Sequence, residues 1–342
     1  GYEMPLPPDL PAGEYQLSLQ FADTAPVVLG TVTLTATPPT DDETPTHELR
    51  VMFGDVLALA GYNVDKNDRA VPVDERRPLV VAPGDWISYT LFWQPLTLIT
   101  TNYHGFIHLV DIDGAPLAQK DQLAGSLIRP PLLWAPYSLA ADRYKLRIPA
   151  DAPSGLYWPR FGLYDFKTLE RLPAYDRDNI LLPNGPELPP IKVVAAAPDP
   201  TPTHPLTIQI GDLATLLGYD LTLPTAPQPG DSFTLTLYYR VNATTDVGYT
   251  QFVHIYNPTL GMAAQTDRPP GGGANPTWAW TPGEIIAESI NLVIQPDTPD
   301  GSYELLVGLY DPATGDRLPL ILERGEALPN GQVPLQQIQI GE

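Results

Sequence analysis

Along much of this chain, apolar and polar residues alternate with a period of two. Such runs occur at Asp85–Trp93, Leu156–Tyr164 and Ser302–Tyr310. A strand with one buried face has this period, because successive side chains point to opposite faces of a sheet. Turn-forming segments such as Pro83–Asp85 separate the runs, and no amphipathic helix of convincing length interrupts them. We therefore predict an all-β protein made of antiparallel β-sandwiches with an immunoglobulin- or fibronectin-like topology.

Most of the pattern occurs twice, at a constant offset of 146 residues. Further upstream the two copies match at an offset of 157, so the first copy contains eleven additional residues around Asp65–Arg77. The duplication predicts two sandwiches of the same kind. The shared residues include Tyr103 and Tyr249, Phe106 and Phe252, His108 and His254, Trp134 and Trp280, Gly162 and Gly308, and Arg171 and Arg317.

The predicted organisation has two sandwiches, each preceded by a linker. Residues 47–196 form the first sandwich, termed repeat 1, and residues 206–342 form the second, termed repeat 2. The linkers, residues 37–46 and 197–205, are rich in proline and threonine. Proline fixes φ and favours extended backbone, so these segments are expected to be stiff spacers.

Residues 1–36 resemble the last strands of a further unit. The segment from Pro8 to Tyr15 parallels Pro149–Tyr157 and Pro296–Tyr303, and it leads into an alternating run. Two strands alone are marginally stable in water and leave unpaired edges. The sequence therefore predicts a hairpin that either belongs to a unit completed by upstream sequence or docks on another surface.

Composition narrows the classes of function. With 19 basic and 40 acidic residues the net charge is −21, and such a surface repels phosphate backbones, so nucleic acid is not expected as a partner. Cations, neutral glycans and proteins remain compatible with it. The absence of cysteine excludes disulfides, thiolate zinc sites and cysteine nucleophiles. No apolar stretch approaches the roughly 18 residues of a membrane span.

Several shared motifs carry a family resemblance. They are Leu-x-Gly-Tyr, Pro-Gly-Asp, Phe-x-His, Gln-x-Asp and the run from Gly308 to Pro319, Gly-Leu-Tyr-Asp-Pro-x-Thr-Gly-x-Arg-Leu-Pro. Together they resemble the extracytoplasmic C-terminal β-sandwich repeats of bacterial multi-span membrane glycosyltransferases that use lipid-linked sugar donors, and of related exported proteins. Repeat 1 departs from the pattern at Phe166–Glu170 and at Tyr137–Ser138. The resemblance implies an extracytoplasmic or secreted β-sandwich at the cell surface, and no catalytic role for this region.

One histidine in each repeat stands in a Phe-x-His strand ahead of a Gln-x-Asp motif. If the intervening turn forms a hairpin, His108 and Asp121 would lie on neighbouring strands, as would His254 and Asp267. Each histidine could then hydrogen-bond its aspartate and leave one ring nitrogen for a ligand. The competing interpretation is a structural histidine, because one histidine falls short of the three protein ligands of a catalytic metal site.

The turn after His108 resembles part of a calcium loop. Asp111 and Asp113 are at alternate positions before a glycine, which suits carboxylate oxygens around Ca²⁺. The pattern lacks the terminal glutamate of the complete motif, and Asn257 and Thr259 replace the aspartates in repeat 2. A hairpin turn rich in Asp and Gly explains both copies equally well.

Exposed aromatic rings would suit glycans, because the C–H faces of sugars stack on them. Trp278 is the best candidate, since it lies outside the strand runs beside a Gly271–Gly273 loop. Trp158 and Tyr137 are further candidates. Trp134 and Trp280 occur in both repeats and are expected in the cores.

No enzyme motif is present, whether nucleophile elbow, P-loop, dinucleotide fingerprint or zinc-protease helix. Glu284 and Glu288 are four residues apart on a presumed strand or loop, which does not fit a glycosidase pair. We expect a non-catalytic cell-surface assembly module whose N-terminal hairpin docks on another subunit or domain. The alternative is an accessory region of a membrane glycosyltransferase that binds glycans or a partner.

Overall fold

The computed structural model describes residues 13–19, 25–34, 44–74, 76–127 and 129–341. The described chain is all-β, which confirms the predicted fold class. It forms one two-stranded sheet and four larger sheets. The rest of the N-terminal segment and most of the predicted first linker lie outside the described residues.

Repeat 1 contains two sheets that face each other across one core, and its strand pairs are antiparallel except for the parallel pair of β6 and β13. The first has the strand order β10-β7-β4-β3-β12, with β5 paired to β4, and the second has the order β6-β13-β11-β8-β9. One short 3-10 helix spans Pro131–Leu133. The strands are β3 (His47–Phe53), β4 (Leu57–Lys66), β5 (Arg69–Ala70), β6 (Leu79–Val81), β7 (Trp86–Pro95), β8 (Tyr103–Val110), β9 (Pro116–Leu123), β10 (Ala140–Arg147), β11 (Gly155–Asp165), β12 (Ala174–Tyr175) and β13 (Ile191–Val193).

Repeat 2 has the same plan, with orders β19-β16-β15-β14-β21 and β18-β17-β20-β22. Its first strand begins at His204, within the predicted second linker. Short 3-10 helices span Pro270–Gly273, Thr277–Ala279 and Pro329–Gly331. The strands are β14 (His204–Ile210), β15 (Ala214–Thr222), β16 (Ser232–Val241), β17 (Thr250–Asn257), β18 (Gly261–Arg268), β19 (Ile285–Val293), β20 (Gly301–Tyr310), β21 (Leu320–Leu322) and β22 (Val333–Ile340).

Each repeat buries its own apolar core between its two sheets. β10 shows why, since its residues are alternately buried and exposed along the whole strand, and Tyr144 and Leu146 enter the core. Trp134 and Trp280 are both almost fully buried in their cores, as predicted. Complete burial of an aromatic ring contributes on the order of 2–3 kcal/mol, so these cores hold the repeats together.

The N-terminal hairpin pairs β1 (Gly13–Leu19) with β2 (Val27–Leu34). Its register matches that of β20 and β22. Tyr15 pairs with Val32 as Tyr303 pairs with Ile338, and a bulge follows Leu17 just as one follows Leu305. The hairpin thus has the strand pairing of the last two strands of a repeat, which supports the interpretation made from its sequence.

Each repeat has two ends. The leading end consists of residues 96–102 and 124–139 in repeat 1, and of residues 242–249 and 269–284 in repeat 2. The trailing end contains the opposite turns, including residues 111–115 and 258–260. The leading end of repeat 2 contacts the outer face of the β6-β13-β11 sheet of repeat 1, near the trailing end.

The linker between the repeats runs along repeat 2 from its leading to its trailing end. Arg240, near the leading end, pairs with Asp199 at 2.6 Å. Closer to the trailing end, the Thr203 backbone N–H donates to Asp220 Oδ1 at 2.6 Å. The end of the first linker repeats this contact, because the Thr46 N–H donates to Asn63 Oδ1 at 2.6 Å.

Candidate functional site

The predicted histidine–aspartate pairs form in both repeats. His108 Nε2 lies 2.9 Å from Asp121 Oδ1, and His254 Nε2 lies 3.1 Å from Asp267 Oδ2. The hairpins β8–β9 and β17–β18 bring them together. In the first, Asp121 pairs with Phe106 across the strands, so His108 reaches it diagonally.

A glycine, a phenylalanine and an arginine stack beside each pair. Gly162 pairs with Phe106 across β8 and β11, and a Cβ at Gly162 would lie 2.7 Å from the Phe106 ring. Arg171 covers the other side of the ring, with its Cζ atom 4.6 Å from the centroid. Gly308, Phe252 and Arg317 repeat the stack, with the arginine at 4.5 Å. This stack gives the shared Phe-x-His, Gly-Leu-Tyr-Asp and Arg-Leu-Pro motifs a common structural purpose.

Repeat 1 adds two aromatic rings to this face. His104 stacks on Phe166, with ring centroids 4.4 Å apart, and Tyr164 lies 5.7 Å from the same histidine. Burial lowers the pKa of His104. Repeat 2 has Thr250 and Pro312 in the places of His104 and Phe166, so the enlarged cluster is confined to repeat 1.

The histidine–aspartate pairs have few groups free to bind a ligand. Phe106 and Phe252 take up one side of the histidine, with ring centroids 4.8 Å and 5.0 Å from it, and the paired aspartate takes up Nε2. Within the described residues, no three histidine or acidic side chains converge as a metal site requires. The arrangement supports the structural interpretation of His108 and His254.

The Asp111 turn is explained by backbone hydrogen bonds. Asp111 Oδ1 accepts from the N–H groups of Asp113 at 3.0 Å and Ala115 at 2.8 Å, which closes the β8–β9 turn. The Asp113 side chain is exposed. In repeat 2, Asn257 Oδ1 likewise accepts two backbone hydrogen bonds, from the N–H groups of Thr259 and Leu260. Calcium at this turn stays a prediction.

The three candidate aromatic side chains lie in separate places. Trp278 is partly exposed, in a 3-10 turn where its ring lies beside Gly248, and its contact with a ligand stays a prediction. Trp158 is half-buried on β11. Tyr137 is 73% exposed at the leading end of repeat 1.

A buried carboxyl group in each repeat was not anticipated as a site. Asp142 is 0% exposed and accepts hydrogen bonds from Tyr144 at 2.6 Å and from Gln122 at 3.1 Å. Gln122 is on β9 and Asp142 on β10, so the carboxyl group joins the two sheets at their edge. Burial raises the pKa of Asp142 to about 6.

Glu288 occupies the position of Asp142 in repeat 2. Its Oε2 accepts the Gly271 N–H at 2.7 Å, and Arg268 of β18 lies 3.5 Å from its Oε1. Burial raises its pKa as well, while the Gly271 and Arg268 contacts oppose that rise. The sequence did contain a signal for Asp142 and Glu288. Each is an acidic residue on the inward face of an alternating strand, at the same position in both repeats.

A second unanticipated cluster lies between the repeats. Lys192 of β13 and Glu284 form an ion pair at 2.9 Å, and their side chains are 0% and 2% exposed. The ammonium group also donates to Asn275 Oδ1. Burial lowers the pKa of Lys192, and the carboxylate of Glu284 opposes this. A buried charge without a partner is costly, so the pair requires repeats 1 and 2 to remain in contact.

The additional segment of repeat 1 supplies another contact to repeat 2. Arg77 donates to Thr244 Oγ1 at 2.9 Å and pairs with Asp246 at 3.2 Å. Repeat 2 has no such segment, and Gln339, which takes the strand position of Lys192, is exposed. The contacts therefore involve residues that differ between the repeats, which is why the shared motifs did not predict them.

Compared with known proteins, the sequence matches no family model and no curated protein. Among the described residues, the helical segments are short 3-10 turns, and none is long and apolar enough to span a membrane. The geometry of the sites therefore carries the functional argument.

Proposed function

We propose that this chain is a non-catalytic structural module of the cell surface, located outside the cytoplasm. Its two sandwiches act as a spacer of fixed geometry, and its N-terminal hairpin docks on another subunit or domain. The observation that carries the proposal is the Lys192–Glu284 pair, which is fully buried between the repeats. A structure built only to carry two independent binding domains has no need of a desolvated ion pair between them.

Other contacts support a fixed arrangement. Arg77, which is far from Lys192 in the sequence, forms a second contact between the repeats. The proline-containing linker is held against repeat 2 through Asp199 and Thr203. The clusters that could have carried chemistry, the histidine–aspartate pairs and the buried carboxyl groups, each have a structural explanation. Their geometry favours mechanical over catalytic roles.

Distance measurements between spin labels test the spacer. The chain has no cysteine, so Gln119→Cys and Ala287→Cys would place one label on an exposed strand position in each repeat. We expect one narrow distance distribution, broadened by Lys192→Ala. Lys145→Ala is the matched control, because Lys145 pairs with Asp68 on the exposed surface. A broad distribution in the unmodified chain would exclude a fixed spacer.

The alternative function is an accessory region of a membrane glycosyltransferase that holds a glycan or partner. Tyr137 favours it, since an aromatic ring that is 73% exposed could stack on a sugar. A glycan array and a calcium titration on the full chain separate the two proposals. Binding that Tyr137→Ala abolishes would support the accessory function.

A further inference from the structure

The leading end of repeat 1 exposes an apolar surface that repeat 2 lacks. Its loops lie side by side, because the Tyr137 N–H donates to Pro95 O at 2.7 Å and the Leu132 N–H donates to Asn102 Oδ1 at 3.2 Å. We term this surface the apolar end. It consists of Leu98, Leu127, Leu132, Leu133 and Tyr137, which are 68%, 74%, 43%, 68% and 73% exposed.

The same positions in repeat 2 form a contact between units. Thr244 takes the place of Leu98 and accepts the hydrogen bond from Arg77 of repeat 1. Gly273 takes the place of Leu127 and lies against Ile112 of repeat 1. The leading end is thus the part of a repeat that receives the preceding unit.

Two exposed apolar side chains of repeat 1, of which Tyr137 belongs to the apolar end, have a backbone conformation that suits glycine better. Tyr137 has φ +64° and Leu169 has φ +62°, in the left-handed region that disfavours bulky residues. Repeat 2 has Gly283 and Gly315 at these two positions. Repeat 1 therefore keeps two exposed apolar side chains in place of the glycines that the turns favour.

The first linker indicates which part of the chain lies near the apolar end of repeat 1. Pro45 and Thr46 contact Gly61 and Asn63 of repeat 1, as Pro202 and Thr203 contact Gly218 and Asp220 of repeat 2. In repeat 2 this path begins at the leading end, where the preceding unit lies. The same path along repeat 1 would place whatever precedes the linker beside the apolar end.

The β1–β2 hairpin is what precedes that linker. Twelve positions separate Leu34 from Thr46, and ten separate Val193 from Thr203, the equivalent points of the second linker. The reach is therefore sufficient. The hairpin also exposes apolar residues that need cover: Leu19, Val27, Val28, Leu29 and Val32.

We propose that the apolar end of repeat 1 is a docking surface and that its occupant is the β1–β2 hairpin of the same chain. This inference rests on the proposed function and identifies the domain on which the hairpin docks. Both surfaces are exposed in the structure; docking would bring the apolar side chains of the hairpin onto the leucines of the apolar end, and both surfaces would then leave water together.

Spin labels on the full chain test the docking. Thr31→Cys and Thr100→Cys label exposed positions on the hairpin and at the leading end. A docked hairpin gives one narrow distance distribution, whereas a hairpin free on its linker gives a spread on the order of 20 Å. Leu133→Asp should produce the broad distribution, and Tyr137→Gly should broaden it without unfolding repeat 1. Val293→Asp, at an exposed apolar position on β19, is the matched control, since Val293 is 59% exposed against 68% for Leu133.

The outcomes separate this inference from the proposed function. A broad distribution in the unmodified chain, or a narrow one that Leu133→Asp leaves unchanged, overturns docking at the apolar end. Light scattering that shows oligomers formed through the hairpin also overturns it, but leaves the proposed structural function intact. A narrow hairpin distance combined with a broad distance between the two repeats would instead overturn the spacer and retain the docking.

Discussion

At the scale of single residues, the buried carboxyl groups matter most for stability. Asp142 has no acidic or basic partner in the contacts that hold it, which come from the side chains of Tyr144, Trp93 and Gln122 and from the backbone N–H of Gly125. Neutral donors satisfy its oxygens, yet they do not remove the cost of burying a charge. At this junction of the two sheets, the protonated form of the Asp142 carboxyl group is therefore favoured over the ionised form.

Asp142 therefore contributes to the pH dependence of stability, in the same direction as Glu288, whose pKa burial also raises. The pKa of Asp142 is about 6 in the folded chain against an ordinary value of 3.8, so the folded state binds more protons between these values. Protonation stabilises the fold as pH falls from about 7 to about 4, by on the order of 3 kcal/mol, and the gain is lost as pH rises through 6. Urea unfolding across this range should show the slope, and Asp142→Asn should reduce it.

The control must account for the large negative charge of the whole chain. Asp151→Asn removes one exposed carboxylate and should leave the slope nearly unchanged. An equal slope in Asp142→Asn and the native chain would show that other groups, such as Glu288 or the general charge repulsion of the chain, set the pH dependence.

At the scale of elements, β8 and β11 illustrate what the sequence predicted and what it did not. Period-two alternation predicted both strands, and the hairpin argument correctly brought His108 to Asp121. It did not show that Phe106 lies flat over Gly162, because strand order and register were not accessible from one sequence. Only the pairing of β8 with β11 gives that glycine a reason to lack a side chain.

The close contact between Gly162 and Phe106 predicts that adding one methyl group at Gly162 lowers stability, whereas adding one at Gly155 does not. Gly162→Ala would place a Cβ 2.7 Å from the buried Phe106 ring, and we expect it to lower the free energy of unfolding by about 1–3 kcal/mol. Gly155→Ala, on the same strand, meets nothing closer than 3.8 Å and should change it by less than about 0.5 kcal/mol. Chemical denaturation of both variants measures the difference. Equal effects would mean that the ring moves aside freely.

At the scale of the whole molecule, the duplication predicted two sandwiches but not how they meet. The offset alignment identifies the residues that the two repeats share, and those residues stabilise the fold within each repeat. Lys192, Arg77 and Glu284 have no counterpart of the same type in the other repeat, so nothing in the alignment marks them. A lysine inside an otherwise apolar strand, Ile191–Val193, was the one signal, and its meaning depends on the neighbouring unit.

The contact between repeats can be tested as a double-mutant cycle. Lys192→Ala leaves the Glu284 carboxylate buried without its cation and should destabilise the assembled chain by about 2–5 kcal/mol. Glu284→Ala leaves the Lys192 ammonium group buried without its anion and should destabilise the chain by a similar amount. Lys192→Met combined with Glu284→Leu removes both charges and keeps the volume, so its stability should return close to that of the native chain. Urea unfolding monitored by tryptophan fluorescence measures these three variants, the native chain and the alanine double variant that completes the cycle. If the two single changes instead add in an alanine double variant, the ion pair does not couple the sandwiches, and the spacer depends on the remaining contacts.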